Sequence, residues 1–359
     1  MPGRRWCNNM KMTTFIFKIG VFSASKSAFS KIEKYIKDFL SILPEELGEM
    51  EDVTELLTPS AIFTEISAIL KRNGGTIGGF FALLMISCVV AYIASLYEGR
   101  LSSSAQSAVC VIALSPAAFQ LLDLSCEMAE GLDKICGFFS SLAPLMLSVM
   151  VAGGANNSSA ASGLQMSLVA SAVEALSSEI LIPQVKATLI LGAVSALGGA
   201  GADKLVSLFR NIFTKGVGIV SAVVCALFAL QSLIAGAADT AALRLAKFTA
   251  QSLAPSVGAV IGASMSTLSS GLAYARSIIG AGAIAAILWI MLSPLALVMI
   301  YRLAVGLCLS FSQSLGVKPH ARALQSMQYA LDGLISVFLM SGVLFVMQII
   351  IFIKCTSEI

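Results

Sequence analysis

Charged residues are distributed very unevenly along this chain of 359 residues. Nineteen of its 43 Asp, Glu, Lys and Arg residues lie in positions 1–75, and the remaining 284 positions carry only 24. A soluble domain of that size needs a charged surface, which the longer part of the chain lacks. Hydrophobic residues make up 57% of the sequence, and its mean hydropathy is +0.89. We therefore predict that residues 76–355 form an integral membrane domain.

The apolar part of the chain predicts an all-α, polytopic membrane protein. A transmembrane helix needs about 20 residues, so there is room for about seven to nine transmembrane or re-entrant helices. Pro116, Pro183 and Pro294 interrupt the apolar runs, and we expect them to break or separate helices. Two polar stretches, residues 123–133 and 318–322, are expected to be loops.

The charged N-terminal region is predicted to lie outside the hydrocarbon. Residues 1–28 contain a short apolar run interrupted by Lys18, which fits either a degraded secretion signal or a disordered or amphipathic N-terminus. Residues 29–75 predict two short helices separated by Pro44. These helices would form a small extramembrane domain or lie on the bilayer surface. The sequence Asn-Gly-Gly at residues 73–75 is the expected boundary with the membrane domain.

Small residues dominate three stretches, residues 192–201, 258–271 and 280–286. Helices in lipid associate through close packing of such residues, because burial of apolar surface gives no driving force there. The three stretches therefore predict a tight helical bundle or an oligomer.

Patterns needed for catalysis are missing from the sequence. A single His in the chain argues against histidine-based metal sites and serine triads. No glycine-rich loop ends in the Gly-Lys-Ser/Thr signature of phosphate binding. In Gly201-Ala202-Asp203 an alanine separates the glycine and aspartate that intramembrane aspartyl proteases need side by side. We therefore predict a protein that is not an enzyme and needs no cofactor or metal, and its small net charge of +3 predicts no nucleic-acid partner.

Two groups of polar side chains occur in otherwise apolar sequence. Glu174 falls within a predicted span, where a carboxylate costs at least about 2.5 kcal/mol unless it is paired, protonated or hydrated. It lies either near the interface or along a polar conduit. A second group recurs at steps of four, three and four, so its members share one helical face, which lies at the headgroups or lines a cavity or partner surface. This group is Thr240, Arg244, Lys247 and Gln251. The candidate residues for a polar path or partner contact are thus Glu174, Arg244, Lys247 and Gln251.

The same stretch carries a family resemblance. The sequence Leu-Arg-Leu-Ala-Lys-Phe at residues 243–248, followed by Pro255 and Gly258, resembles the core of stage III sporulation protein AE. An Ile-Glu-Lys helix at residues 32–34 and a Leu-Pro-Glu-Glu turn at residues 43–46 are similar to the start of that family.

This resemblance covers roughly residues 30–355 and rests on pattern and order. It implies a non-catalytic membrane subunit of the channel or export complex that links mother cell and forespore and is required for late forespore development. The implied partners are other stage III sporulation proteins, including a secretion-type ATPase and ring-forming membrane proteins. The implied location is the mother-cell-derived membrane around the forespore. The alternative is a stand-alone small-molecule permease of the cell membrane, with helices broken at Pro116, Pro255 and Pro294.

Overall fold

The computed structural model of the chain describes residues 59–97, 103–152, 155–198 and 255–354, with scattered helical positions between 204 and 241. All regular structure in these residues is helical, and no strand occurs in them. The helices are α1 Pro59–Leu96, α2 Ser103–Ala152, α3 Asn156–Ala175, a π-helical segment Leu176–Leu181, α4 Ile182–Gly198, α5 Pro255–Ser314 and α6 Lys318–Lys354.

Five apolar helical runs are long enough to cross a membrane. They are Pro59–Leu96, Ala105–Ala152, Asn156–Leu197, Tyr274–Ser314 and Lys318–Lys354. The predicted all-α class is thus found in the described residues, together with membrane-type helices. The predicted number of seven to nine is not confirmed, because the described part of the chain contains five such runs.

The predicted helix breaks at Pro116 and Pro294 are wrong. Pro116 lies inside α2 and Pro294 lies inside α5. The predicted loop at residues 123–133 is also wrong, because these residues form the middle of α2. Buried residues continue at helical spacing across this stretch and hold the helix against its neighbours. They are Leu121, Leu124, Met128, Leu132 and Ile135.

The predicted loop at residues 318–322 forms the first turns of α6 instead. The reversal between α5 and α6 needs only Leu315 to Val317, with Gly316 at φ +74°. That left-handed backbone conformation is one that glycine adopts without steric cost. The closing helices therefore form a tight hairpin.

Pro183 alters the helix but does not end it. The π-helical segment Leu176–Leu181 stands immediately before α4, in which Pro183 is the second residue. A π-turn adds one residue to the local hydrogen-bonding loop. The chain thus runs as a continuous helical rod from Asn156 to Gly198, where the sequence predicted two separate helices.

Helix α1 passes without a break through residues 73–75. A helix end at that point is therefore not found. The assignment of residues 29–75 to an extramembrane region stays a prediction, since residues 1–58 lie outside the described part. The same is true of the predicted signal segment at residues 1–28.

The helices pack antiparallel along a shared axis. Near one end, Ser159 of α3 donates a hydrogen bond to the Leu147 carbonyl of α2 (3.4 Å), and Arg276 of α5 donates to the Val149 and Met150 carbonyls (3.0 and 3.5 Å). The guanidinium thus caps the last turn of α2, whose carbonyls have no partner within the helix. We call this the cap end.

The opposite end of the bundle contains the reversal between α5 and α6. Val317 packs there with Ala91 of α1 and Cys110 of α2 in a small buried cluster. We call this the turn end. Helix α6 has buried residues from His320 to Phe352 and lies at the centre of the bundle.

Small residues set the close contacts between helices. A Cβ atom at Gly192 would overlap Ser326, and one at Gly280 would overlap Ile353. Both glycines lie in stretches that the sequence assigned to tight packing. Gly333 allows the same close approach to the amide of Gln184. At these positions the helices therefore contact each other through small residues.

Candidate functional site: a charged waist in the helix bundle

Four acidic residues lie exposed in the middle of α2, far from both of its ends. They are Asp123, Glu127, Glu130 and Asp133. The spacing of Asp123, Glu127 and Glu130 places them on one helical face. The helix that carries them is otherwise apolar, with a hydropathy that would allow it to span a membrane.

Contacts from three other helices fix the position of this acidic stretch along the bundle. Ser177, in the π-helical segment, donates a hydrogen bond to the carbonyl of Ala129 (3.3 Å). Gly131 faces Pro294 of α5 and Phe338 of α6 across the bundle. The middle of each rod therefore lies at about the same height.

Other charged side chains occur at about this height on α3, α4, α5 and α6. Glu174 of α3 and Asp133 both lie close enough to Cys136 to act on it electrostatically. Lys186 of α4 and Leu122 of α2 line one groove. We call the band of charges the charged waist; it consists of Asp123, Glu127, Glu130, Asp133, Glu174, Lys186, Arg302 and Asp332.

An ion pair joins the two helices of the closing hairpin at the waist. Arg302 Nε of α5 and Asp332 Oδ1 of α6 are 2.5 Å apart, with side-chain exposures of 37% and 16%. Asp332 lies 14 residues into α6, about 21 Å from its start at 1.5 Å per residue. When two opposite charges pair at such a depth, the free-energy cost of placing each of them in an apolar medium falls. The sequence does not predict this pair, although each residue is a lone charge in a long apolar run.

Of the four candidate residues from the sequence, the structure describes one. Glu174 is exposed on α3, at the waist. Its role in a polar conduit stays a prediction. Arg244, Lys247 and Gln251, with Thr240 on the same predicted face, lie outside the described residues.

A small pocket lies on the side of α2 that faces α1 and α5. Its volume is about 50 Å³. Oxygen-bearing side chains from three helices surround it: Thr76, Gln120, Asp123, Glu127 and Tyr301. The buried Gln120 Oε1 has no hydrogen-bond donor among the described residues. This side of the waist is therefore polar.

The only histidine of the chain is fully buried near the turn end. His320 Nε2 lies 3.0 Å from Ser87 Oγ of α1, and Nδ1 lies 3.0 Å from Ser312 Oγ of α5. Ser87 already donates to the Leu84 carbonyl (2.7 Å), so it accepts from Nε2–H. Ser312 lies 3.5 Å from the Val317 carbonyl, a longer contact than its 3.0 Å to Nδ1, so its hydroxyl donates to Nδ1. We assign this tautomer from the hydrogen-bond network. The imidazole thus ties three helices together.

Buried amides form a second polar link, nearer the cap end. Gln348 Nε2 of α6 donates to Gln165 Oε1 of α3 (3.4 Å), and Gln165 Nε2 donates to the carbonyl of Phe228 (3.3 Å). The chain of bonds ties residues 226–231 to the bundle. Interhelical amide bonds of this kind stabilise membrane bundles by about 0.6–2 kcal/mol each.

Catalytic chemistry finds no support in the described residues. No group of three or more His, Cys, Asp or Glu side chains there could hold a metal ion. The polar clusters at His320, at the Gln165–Gln348 link and at the Arg302–Asp332 pair form contacts between helices. The arrangement serves helix association and leaves the acids of the waist exposed.

Comparison with known proteins identifies the family. The model for stage III sporulation protein AE matches residues 45–356. The chain belongs to the stage III sporulation protein AE family. No curated protein and no solved structure matched it. The resemblance predicted from the sequence is confirmed, and the matched residues include helices α1 to α6 of the described part and the whole charged waist.

Proposed function

We propose that this protein is a non-catalytic membrane subunit of the channel or export complex that links mother cell and forespore. Membership of the stage III sporulation protein AE family supports a role in sporulation. Five long apolar helices support a place in a membrane. The proposed location is the mother-cell-derived membrane around the forespore, and the proposed role is in late forespore development.

The observation that carries the proposal beyond the family is the length of the helices. α1 has 38 residues and α2 has 50, or about 57 and 75 Å at 1.5 Å per residue. The hydrocarbon core of a bilayer is only about 30 Å thick. Tilting compensates for a few residues of mismatch rather than for a factor of two.

Apolar side chains are exposed on both sides of the waist. Ile86 and Ile93 are exposed towards the turn end, and Leu164 and Leu168 towards the cap end. A single bilayer covers one of these zones at most. The other zone needs protein contacts, because large exposed apolar patches mark interaction surfaces. A subunit of a larger assembly has such contacts.

The partners proposed are other stage III sporulation proteins, including a secretion-type ATPase and ring-forming membrane proteins. The exposed acids of the waist suit contacts with basic segments of such partners, since complementary charge steers and orients association. The face of Arg244 and Lys247 is a second proposed contact, with the opposite charge.

A stand-alone permease is the alternative. It rests on helices broken at prolines, as in transporters whose substrate sites lie at helix breaks. Pro116 and Pro294 lie within continuous helices. Predicted helix breaks at prolines are the main argument for a permease, and the continuous helices weaken that argument.

The test uses a sporulating host that lacks this gene and is complemented with a tagged copy. We expect wild-type protein to restore late forespore gene expression and to co-purify with the other stage III proteins. The variant Glu127→Lys, Glu130→Lys is expected to reach the membrane in normal amount but to lose co-purification and sporulation. A matched control, Lys134→Glu, reverses a charge of the same helix while keeping the acids.

Three outcomes would contradict the proposal. Normal sporulation without the gene would remove the sporulation role. Co-purification of no other stage III protein with the wild type, together with uptake of a small solute by the purified protein in vesicles, would favour the permease. Normal sporulation and co-purification of the charge-reversed variant would remove the waist as a contact surface.

A further inference from the structure

We propose that a groove between α2, α4 and α6 binds an anionic phospholipid, with an acyl chain in the groove and the lipid phosphate paired with Lys186. The inference depends on the protein lying in a membrane and not on membership of the sporulation complex. It rests on the shape of the groove, on the one cation at its edge and on the position of that cation at the waist.

The groove has a volume of about 330 Å³ and is almost wholly apolar. α2 contributes one wall, α4 the other, and the start of α6 the floor. The close approach of Gly192 to Ser326 brings α4 and α6 together at this floor. The lining includes Leu114, Phe119, Leu122, Leu189, Ile190 and Met327. A site of this size is in the range of natural small-molecule pockets.

Lys186 is the one charged residue that lines the groove, and its side chain is exposed. It lies in the apolar run Asn156–Leu197, where a lysine costs about 2.5–3.5 kcal/mol in the hydrocarbon unless it is paired or reaches the interface. Among the described residues it has no ion-pair partner. The nearby Asp123 lines the small pocket with Thr76 and Tyr301 instead, on the opposite side of α2.

The surface around the groove is apolar and exposed. Phe119 and Ile190, which line it, are 66% and 64% exposed. In a bilayer the medium against such a surface consists of acyl chains. A basic residue beside an apolar groove between helices is the arrangement that recognises anionic lipid headgroups.

The dimensions of the groove match one lipid. Its lining on α2 runs from Val111 to Leu122, about 17 Å along the helix. That length is close to one leaflet, half of the roughly 30 Å hydrocarbon core. Lys186 lies at the Leu122 end, at the waist, where the other charges of the bundle lie. The chain of the lipid would therefore run from the waist towards the turn end, and its phosphate would lie at the waist.

The charge is tested with the purified full-length protein in detergent. Phosphatidylglycerol and phosphatidylcholine with identical acyl chains are titrated, and bound lipid is measured by native mass spectrometry and by the shift in unfolding temperature. We expect phosphatidylglycerol to bind about fivefold more tightly, the ratio that one cation near the headgroup supplies. Lys186→Gln is expected to reduce the ratio to about one. Lys186→Arg is expected to keep it, as is Lys134→Gln, which removes an exposed lysine of α2 that does not line the groove.

The groove is tested by filling it. Ala193→Phe places a ring in the groove, and we expect it to lower binding of both lipids severalfold. Ala82→Phe is the control, because Ala82 is exposed on α1 and away from the groove. An unchanged lipid ratio in Lys186→Gln overturns the proposal, since it removes the charge as the recognised feature. It is also overturned if Ala193→Phe leaves lipid binding intact, or if it abolishes self-association instead, which would make a protein the occupant.

Discussion

At the scale of single residues, the charges within the apolar helices are tolerated because the fold pairs or exposes them. Arg302 and Asp332 are each a lone charge in a long apolar run, and each compensates the other across the α5–α6 hairpin. The sequence allows either residue to be singled out. It does not give their pairing, because that depends on a reversal at Gly316 that places residues 30 positions apart at the same height.

His320 shows the same limit from the opposite direction. A single histidine in the sequence argues against histidine-based catalysis, and the sequence predicts no structural role for it. Its partners Ser87 and Ser312 lie 233 and eight positions away in the chain. Only packing of α1, α5 and α6 at the turn end brings the three side chains together.

The ion pair leads to the first prediction at this scale. Arg302→Gln removes the guanidinium that pairs with the Asp332 carboxylate, and Asp332→Asn removes the carboxylate that pairs with Arg302. Each is expected to lower the free energy of unfolding by about 2 kcal/mol, a modest value because Arg302 is partly exposed. The double variant removes both charges, and we expect it to regain at least half of the loss.

Unfolding in detergent micelles, followed by circular dichroism, measures the three values as a double-mutant cycle. Additive losses in the double variant would show that the two charges do not compensate each other. The pair would then have no part in holding the hairpin together.

At the scale of the elements, helices continue through positions where the sequence predicted ends. Pro116 and Pro294 remove one backbone donor each, yet α2 and α5 keep their buried faces in register on both sides. The acids at residues 123–133 lie on the exposed face, so they leave the buried face intact. Polar residues and prolines therefore predict loops wrongly here. Packing along the whole helix stabilises it by more than these residues destabilise it locally.

Close contact between α4 and α6 gives the second prediction. Gly333→Ala places a methyl group against the Gln184 amide, which is 5% exposed and has little room to move. Overpacking of this kind typically costs about 1–3 kcal/mol. Gly306→Ala is the matched control on α5, because nothing lies within 4 Å of the added atom. It is expected to gain about 0.5–1 kcal/mol, the helix propensity of alanine over glycine.

Thermal unfolding of both variants beside the wild type measures the difference. Equal stability of the two alanine variants would mean that α4 and α6 are further apart than the structure has them. A loss confined to Gly333→Ala would support the close contact of α4 and α6 at this glycine, which lies outside the three small-residue stretches of the sequence.

At the scale of the whole molecule, the uneven distribution of charge predicts a helical protein with membrane-type helices, which is confirmed in the described residues, whereas the predicted number of seven to nine is not confirmed there. Counting one span per 20 apolar residues divides α2, and the rod from Asn156 to Gly198, into two each. The structure instead joins two apolar halves through a polar middle in a single helix. Glu174 was predicted as a polar exception. The charged waist is visible only in the structure, which places Lys186, Arg302 and Asp332 of other helices at the height of the acids of α2.

The waist also determines how the bundle can lie in a bilayer, and a native cysteine tests this. Cys126 is exposed on α2 between Asp123 and Glu127, whereas Cys110 of the same helix is fully buried. Several exposed carboxylates at the centre of the hydrocarbon would cost far more than at its edge, so we expect the waist to lie at a water interface.

A membrane-impermeant maleimide should therefore label Cys126 in opened membranes, and leave Cys110 unmodified until the protein is denatured. Peptide mass spectrometry identifies the labelled site, and Cys126→Ser is the control for specificity. An inert Cys126 in membranes of a host without the other stage III proteins would contradict a waist at a water interface.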